Sequence, residues 1–288
     1  MAFSVLAATS FAPPENGIAE GMKVSPSKFE VMVKRGQEVI APLVIRNESP
    51  SPLKITLQAW DFARDENGVP YQISKKDVAK FRGAAAWLRF SKKPVIVKSH
   101  DQVEVPVKVR APKKASPGTH ATYLQVVGKP VLGKRQNIKV QYVVNALFLP
   151  IFVGEAHSRL PTLKTKLKLV DFSVGQKFAT VLPLSLRAEV RNDGNIHQNL
   201  EGAVEIWQGK TKLKTVPVEQ TLLPGSTSHI LAAVDDLPYL GRFTAKFKGS
   251  AFLAKNYKQQ KLEARLNFIY IPKNIFYAAA GLLLLTFL

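Results

Sequence analysis

The chain has 288 residues, with 41 basic against 21 acidic side chains, a net charge of +20 and a pI near 10.0. With 46% hydrophobic residues and a mean hydropathy of −0.02, it is neither a disordered chain nor one that threads a membrane many times. The absence of cysteine excludes disulfides, thiolate metal sites and thiol nucleophiles, and the charge favours an anionic partner: nucleic acid, lipid headgroups, an acidic surface polymer or an acidic protein.

Residues 1–20 open with an apolar run that closes on Ser10-Phe11-Ala12, the small-x-small spacing of a signal-peptidase site. No Lys or Arg precedes the run, so it is signal-like without the usual basic start. From residue 21 the chain reads as strands. Residues 53–60, 103–110 and 138–144 alternate apolar and polar with period two, the pattern of half-buried antiparallel sheet. Further strands are predicted at 28–33, 39–46, 121–128, 184–191, 202–208, 227–234, 242–248 and 262–271. Turn signals such as Arg35-Gly36, Ser116-Pro117-Gly118 and Asn192-Asp193-Gly194 separate them. One stretch, 74–88, reads as helical, with Ser74 and Asp77 in a capping arrangement. A linker over 154–161 divides domains 21–153 and 162–272, each the size of one immunoglobulin-like domain.

Residues 273–288 carry no charge after Lys273. Ile275, Phe276, Tyr277 and the run Leu282, Leu283, Leu284 and Leu285 read as a membrane anchor shorter than a full span. The expected fold class is all-β: two consecutive immunoglobulin-like β-sandwiches followed by a C-terminal transmembrane helix. The body then lies on the periplasmic or cell-surface side of a bacterial membrane.

The positive charge belongs to both domains. Residues 21–153 hold 23 basic and 9 acidic side chains, a net +14, and residues 160–273 hold 17 and 9, a net +8. Lys164, Lys166 and Lys168 recur every second residue, as do Lys210, Lys212 and Lys214. In extended chain each set forms a cationic stripe on one face, a candidate partner-binding surface. Strands also carry edge lysines against aggregation, which needs no partner.

Nothing in the chain suggests catalysis or a cofactor. There is no phosphate loop, dinucleotide fingerprint, nucleophile elbow or helical zinc motif. His100, His120, His157, His197 and His229 are scattered, and Asp235-Asp236 reads as a loop rather than an acid–base dyad. Asp61, Asp65 and Glu66 lack the ligand count of a calcium loop. Nucleic acid fits the charge but not the pattern, because Trp60, Trp87 and Trp207 lie in apolar runs instead of alternating with basic groups.

Residues 22–31, the strand Pro42-Leu43-Val44-Ile45-Arg46-Asn47, Ala86-Trp87-Leu88-Arg89-Phe90, Arg110-Ala111-Pro112 and the strand ending Ala146-Leu147-Phe148-Leu149-Pro150 resemble the first domain of periplasmic pilus chaperones. That resemblance puts the first residue of the family's subunit-binding basic pair on Lys28, a Lys where Arg is usual, and the second near Val143, which cannot serve. The whole layout is similar to the WxL-interacting proteins: a signal, two sandwiches, Val190-Arg191-Asn192-Asp193-Gly194-Asn195 and a C-terminal membrane helix. The expected function is a non-catalytic, membrane-anchored scaffold that contacts another envelope protein or an anionic surface polymer. Alternatives are an assembly chaperone pairing a partner strand with the edge 138–149, and a structural subunit of a multi-protein membrane machine.

Overall fold

The structure is a computed structural model that describes residues 21–65, 69–131, 140–153, 163–237, 240–253, 259–275 and 277. The signal-like segment, the 154–161 linker, Phe276 and Leu282–Leu285 lie outside these residues. The chain forms two compact units that meet in sequence at Leu163/Lys164. Both are built almost wholly of strands.

The first unit contains β1 (Met22–Ser25), β2 (Lys28–Val33), β3 (Glu38–Asn47), β4 (Leu53–Trp60), β5 (Phe62–Arg64), β6 (Pro70–Gln72), β7 (Leu88–Arg89), β8 (Val95–Val97), β9 (Gln102–Arg110), β10 (Gly118–Thr119), β11 (Thr122–Pro130) and β12 (Tyr142–Phe152). One sheet has the order β1-β3-β9-β7, and the other β10-β12-β11-β4-β8. Alternation supplies the core: Ala41, Leu43 and Ile45 of β3 and Val105, Val107 and Val109 of β9 are buried from one side. Leu53, Ile55, Leu124, Val126, Ala146 and Phe148 are buried from the other.

Pro42 and Pro106 face each other across β3 and β9. Neither has an N–H to donate, so the pair fits where both nitrogens point away from the shared ladder. There β1 and β7 have already ended, since their pairing reaches only Val44 and Lys108. The chain changes sheets after β1, at the cis Ser25–Pro26 peptide, and β2 runs parallel to the end of β12. Phe29 meets Phe148 in that register with ring centroids 4.4 Å apart.

The stretch expected to be helical is not a helix. Ser74 Oγ does donate to Asp77 Oδ2 at 2.7 Å, but only about one turn follows, closed by Gly83 N to Val78 O at 2.8 Å. Arg82 adopts a positive φ of 54°, and its guanidinium donates to the Thr119 and Pro117 carbonyls. Asp61 Oδ1 accepts the Ala84 and Ala85 N–H groups at 2.7 Å each. These long-range bonds outweigh helix propensity in a segment with no continuous apolar stripe. The only helical element there is a 3-10 turn at Ala85–Trp87.

That turn sets Trp87 against His120, with ring centroids 4.3 Å apart. His120 Nε2 lies 2.9 Å from the Ser116 carbonyl and therefore carries a proton, while Nδ1 is buried. Burial pushes the His120 pKa below its ordinary value; the Ser116 carbonyl opposes this and Arg82 adds to it. Above about pH 6.5 the imidazole is neutral in both folded and unfolded chains. Below it the unfolded chain takes a proton that the folded one resists, so stability falls as pH drops toward the folded pKa. Urea midpoints of the first unit should decrease between about pH 7.5 and about pH 5, with a shallower slope in His120→Gln. An equal slope in that variant would assign the effect elsewhere.

The second unit contains β13 (Leu167–Val174), β14 (Phe178–Ala179), β15 (Leu184–Asn192), β16 (Gln198–Gln208), β17 (Thr211–Leu222), β18 (Thr227–Val234), β19 (Gly241–Phe252) and β20 (Gln260–Tyr270). A three-stranded sheet, β13-β15-β18, faces a five-stranded one, β14-β20-β19-β16-β17. Leu186, Ala188, Val190, Ile230 and Val234 pack against Leu200, Val204, Ile206, Phe243, Phe247 and Phe268. As in the first unit, a short strand after the first, β14, runs parallel to the last strand. Residues 273–275 and 277 are helical. No helix among the described residues is long and apolar enough to cross a membrane.

Candidate functional site

Strand β12 is central along only part of its length. Residues 142–148 pair with β11 on one side, and 147–152 pair with β2 on the other. From Tyr142 to Ala146 no described strand pairs on the β2 side. The direction of its backbone groups follows from one bond, Leu147 N to Ser27 O at 2.8 Å, which points the Leu147 N–H away from β11. Antiparallel pairing alternates, so Asn145 and Val143 also turn their N–H and C=O groups outward. These groups bond no described strand, although β1 lies alongside and the Tyr142 ring packs on Gly21, and they form a short template for an added strand.

Strand β12 itself is amphipathic and uncharged, while exposed Lys54 and Lys129 form the next row of the outer face. Residues 140–152 contain no ionisable group except Tyr142. Val140 and Val143 are 44% and 47% exposed. Across the outer face the register sets three rows: Val143, Val127 and Thr56; Asn145, Gln125 and Gln58; Leu147, Tyr123 and Trp60. Gln125 Nε2 donates to Asn145 Oδ1 at 3.4 Å, and Trp60, Phe62 and Tyr123 form an aromatic cluster with centroids 4.2–6.2 Å apart. The edge strands β8 and β18 are also free of Lys, Arg, Asp and Glu, whereas two edges of the second unit carry charge. The outer edge of β17 carries Lys212, Lys214, Glu219 and Pro217, and β20 carries Lys261, Glu263 and Arg265, residues that discourage strand addition.

Lys28 sits at the start of β2, opposite Leu147, with Nζ 3.3 Å from Glu30 Oε1. The place where the chaperone resemblance seeks a second cation holds exposed Val143.

The two lysine triads behave differently from the stripes expected of uniformly extended chain. In the second, Lys210 lies in the tight turn between β16 and β17, where Gly209 takes a φ of 58°. A bulge then breaks the alternation: Ile206 pairs with Lys214 and Trp207 with Lys212, leaving Leu213 extra. Lys212 joins Lys248 around the Glu205 carboxylate, at 3.9 and 3.0 Å. The Lys248 ammonium lowers the Glu205 pKa most, opposed by desolvation and helped by the Trp207 indole. Lys214 turns instead to Asp236 and Asp235. The Asp236 carboxyl is held below the usual carboxylate range by Lys214 and the ammonium raised in turn. A bulge and three acidic partners thus replace the single stripe.

The first triad is also only partly strand. Lys164 and Lys166 precede β13 and run beside the Asp193–Asn195 turn, with Lys164 N donating to Asn195 Oδ1 at 2.7 Å. Lys168 lies on β13 opposite Arg191. Asp193 accepts from Arg191 Nε at 2.7 Å, and this bond, with Lys166 and Lys168 nearby, lowers its pKa. The first triad stays exposed and keeps a surplus of cations.

Among the described residues no three His, Asp or Glu side chains gather closely enough to hold a metal ion. A cavity of about 310 Å³ lies against Leu213, Lys214, Asp236 and Leu237, and the Lys214–Asp236 ion pair forms part of its wall.

No family model matches this chain, and no curated protein does. Solved structures do resemble it at low identity. The YadV chaperone is 12% identical over 85% of this chain and 100% of its own, with a TM-score of 0.43. A Pseudomonas aeruginosa chaperone, CupB2, is 9% identical over 85% and 100%, with a TM-score of 0.40. A PapD-like domain of human CEP192 is 17% identical over 55% and 99%, with a TM-score of 0.34. The second resemblance read from the sequence, to WxL-interacting proteins, gains nothing from these structures.

Proposed function

We propose that this chain is a non-catalytic extracytoplasmic binding protein that accepts an extended segment of another envelope protein as an added strand on the β12 edge. Its C-terminal apolar segment tethers it to the membrane. The observation that carries the reading is the unpaired, uncharged edge at Tyr142–Ala146, rimmed by exposed valines. Strand addition draws affinity from main-chain bonds and specificity from alternate side chains, and β12 offers both. Among the alternatives read from the sequence, this favours the assembly chaperone over a scaffold held by charge, since most of the second lysine triad is already neutralised.

Proline at Asn145 tests it. That N–H faces outward, so Asn145→Pro removes a bond to the added strand and none to β11. A photoreactive side chain at Val143, in the full chain in its native membrane, should crosslink to an envelope protein. Asn145→Pro should cut the adduct about tenfold or more while folding stability changes by no more than about 1 kcal/mol. Undiminished crosslinking in the proline variant overturns strand pairing.

A further inference from the structure

Exposed apolar side chains of the second unit are concentrated at one end. Its described large hydrophobics at high exposure are Val170, Phe178, Val181, Leu231, Leu240, Ile275 and Tyr277. Val170 and Leu231 stand mid-strand, Val170 as the extra residue of a bulge. The other five share the end from which the chain leaves β20. Phe178 is level with Ile269, and Ala179 with Tyr270. Gly241 is also level with Tyr270, which puts Leu240 beside Ile271. Two bonds lock the turn to the departing strand: Ile269 N to Lys177 O at 2.8 Å and Ile271 N to Ala179 O at 2.9 Å.

Phe178 is 71% exposed, more than any other large hydrophobic described. Single exposed apolar residues need no explanation, but a cluster marks a contact surface. Two further features identify the contact. The uncharged run 275–288 starts at this end. Exposed cations surround it: Lys177, Lys210, Arg242 and Lys273, whereas the acidic Asp235 and Asp236 are engaged by Lys214. An apolar tip ringed by Lys and Arg is the composition that settles at the headgroup boundary of an anionic bilayer.

We infer that the 177–181 turn and Leu240 form a lipid-contacting foot, on which the second unit stands against the bilayer surface. This rests on the tether in the reading above and goes beyond it, because the folded domain itself touches lipid. The unit would therefore be held in a fixed stance, with β20 directed into the membrane.

The cysteine-free chain permits a clean test. Single substitutions Phe178→Cys, Val181→Cys, Leu240→Cys and, as control, Leu231→Cys are nitroxide-labelled in the full chain. Each is reconstituted into vesicles of phosphatidylcholine and phosphatidylglycerol. All four positions are exposed, so labelling leaves the core intact. Expected is flotation with the vesicles, and a ratio of oxygen to aqueous nickel-chelate accessibility at least about threefold higher at 178, 181 and 240 than at 231. Flotation with label 178 as water-exposed as label 231 overturns the foot and leaves the tether standing. A chain that does not float overturns both.

Discussion

Asn47→Ala is expected to destabilise the first unit by about 3–5 kcal/mol, seen as a fall in its melting temperature of roughly 10–20 °C. Asn47 ends β3 and is fully buried. Its Nδ2 donates to the Ser51, Val97 and Lys98 carbonyls at 2.9, 3.1 and 2.9 Å. Its Oδ1 accepts from Ser49 N and Ser49 Oγ at 2.9 and 2.7 Å. One carboxamide therefore ties the β3–β4 turn to the end of β8. Alanine removes it and leaves several of these groups without partners away from water. Asn192 does the same in the second unit, bonding the Ile196 and Leu222 carbonyls and the Gly194 N–H. Asn192→Ala should accordingly lower the transition of the second unit and spare the first. A shift below about 1 kcal/mol in Asn47→Ala would mean that water reaches the turn and replaces the amide.

Gly202→Ala should cost about 2–4 kcal/mol and act on the second unit alone. Gly202 lies mid-strand in β16, directly opposite Gly249 of β19. A Cβ there would overlap the Lys248 carbonyl oxygen and come within 2.8 Å of Gly249 Cα. Both obstacles are backbone, so no rotamer change relieves them, and the sheet would have to open at its centre. Gly175→Ala is the matched control, since its nearest neighbour would be the Ser185 carbonyl at 3.8 Å. Urea unfolding of both variants checks this. Equal midpoints for the two would show that β16 and β19 can separate without loss.

Strands such as β3, β4 and β9 were legible because each has one face in a core and one in water, so their alternation survives in the sequence. Strands β13 and β17 fall outside the strands that the sequence pattern predicts. Bulges at Val170 and Leu213 break their period, and Pro217 interrupts β17 further. The stretch 74–88 was misread because its local capping signal is genuine. The long-range bonds of Arg82 and Asp61 that end it join residues more than twenty positions apart. The uncharged character of β12 was visible as well. Its openness was not, since that depends on how far the parallel strand β2 extends along it.

By itself the sequence determined the all-β character, many strand positions, the excess of positive charge and the apolar run after Lys273, all properties of residues and their near neighbours. Only the tertiary structure decided which strand edge is left unpaired, which lysines meet carboxylates and which exposed apolar side chains gather where β20 ends. Each of these depends on register between distant segments. A bulge of one residue or a strand a few residues shorter changes the outcome without altering the composition at all.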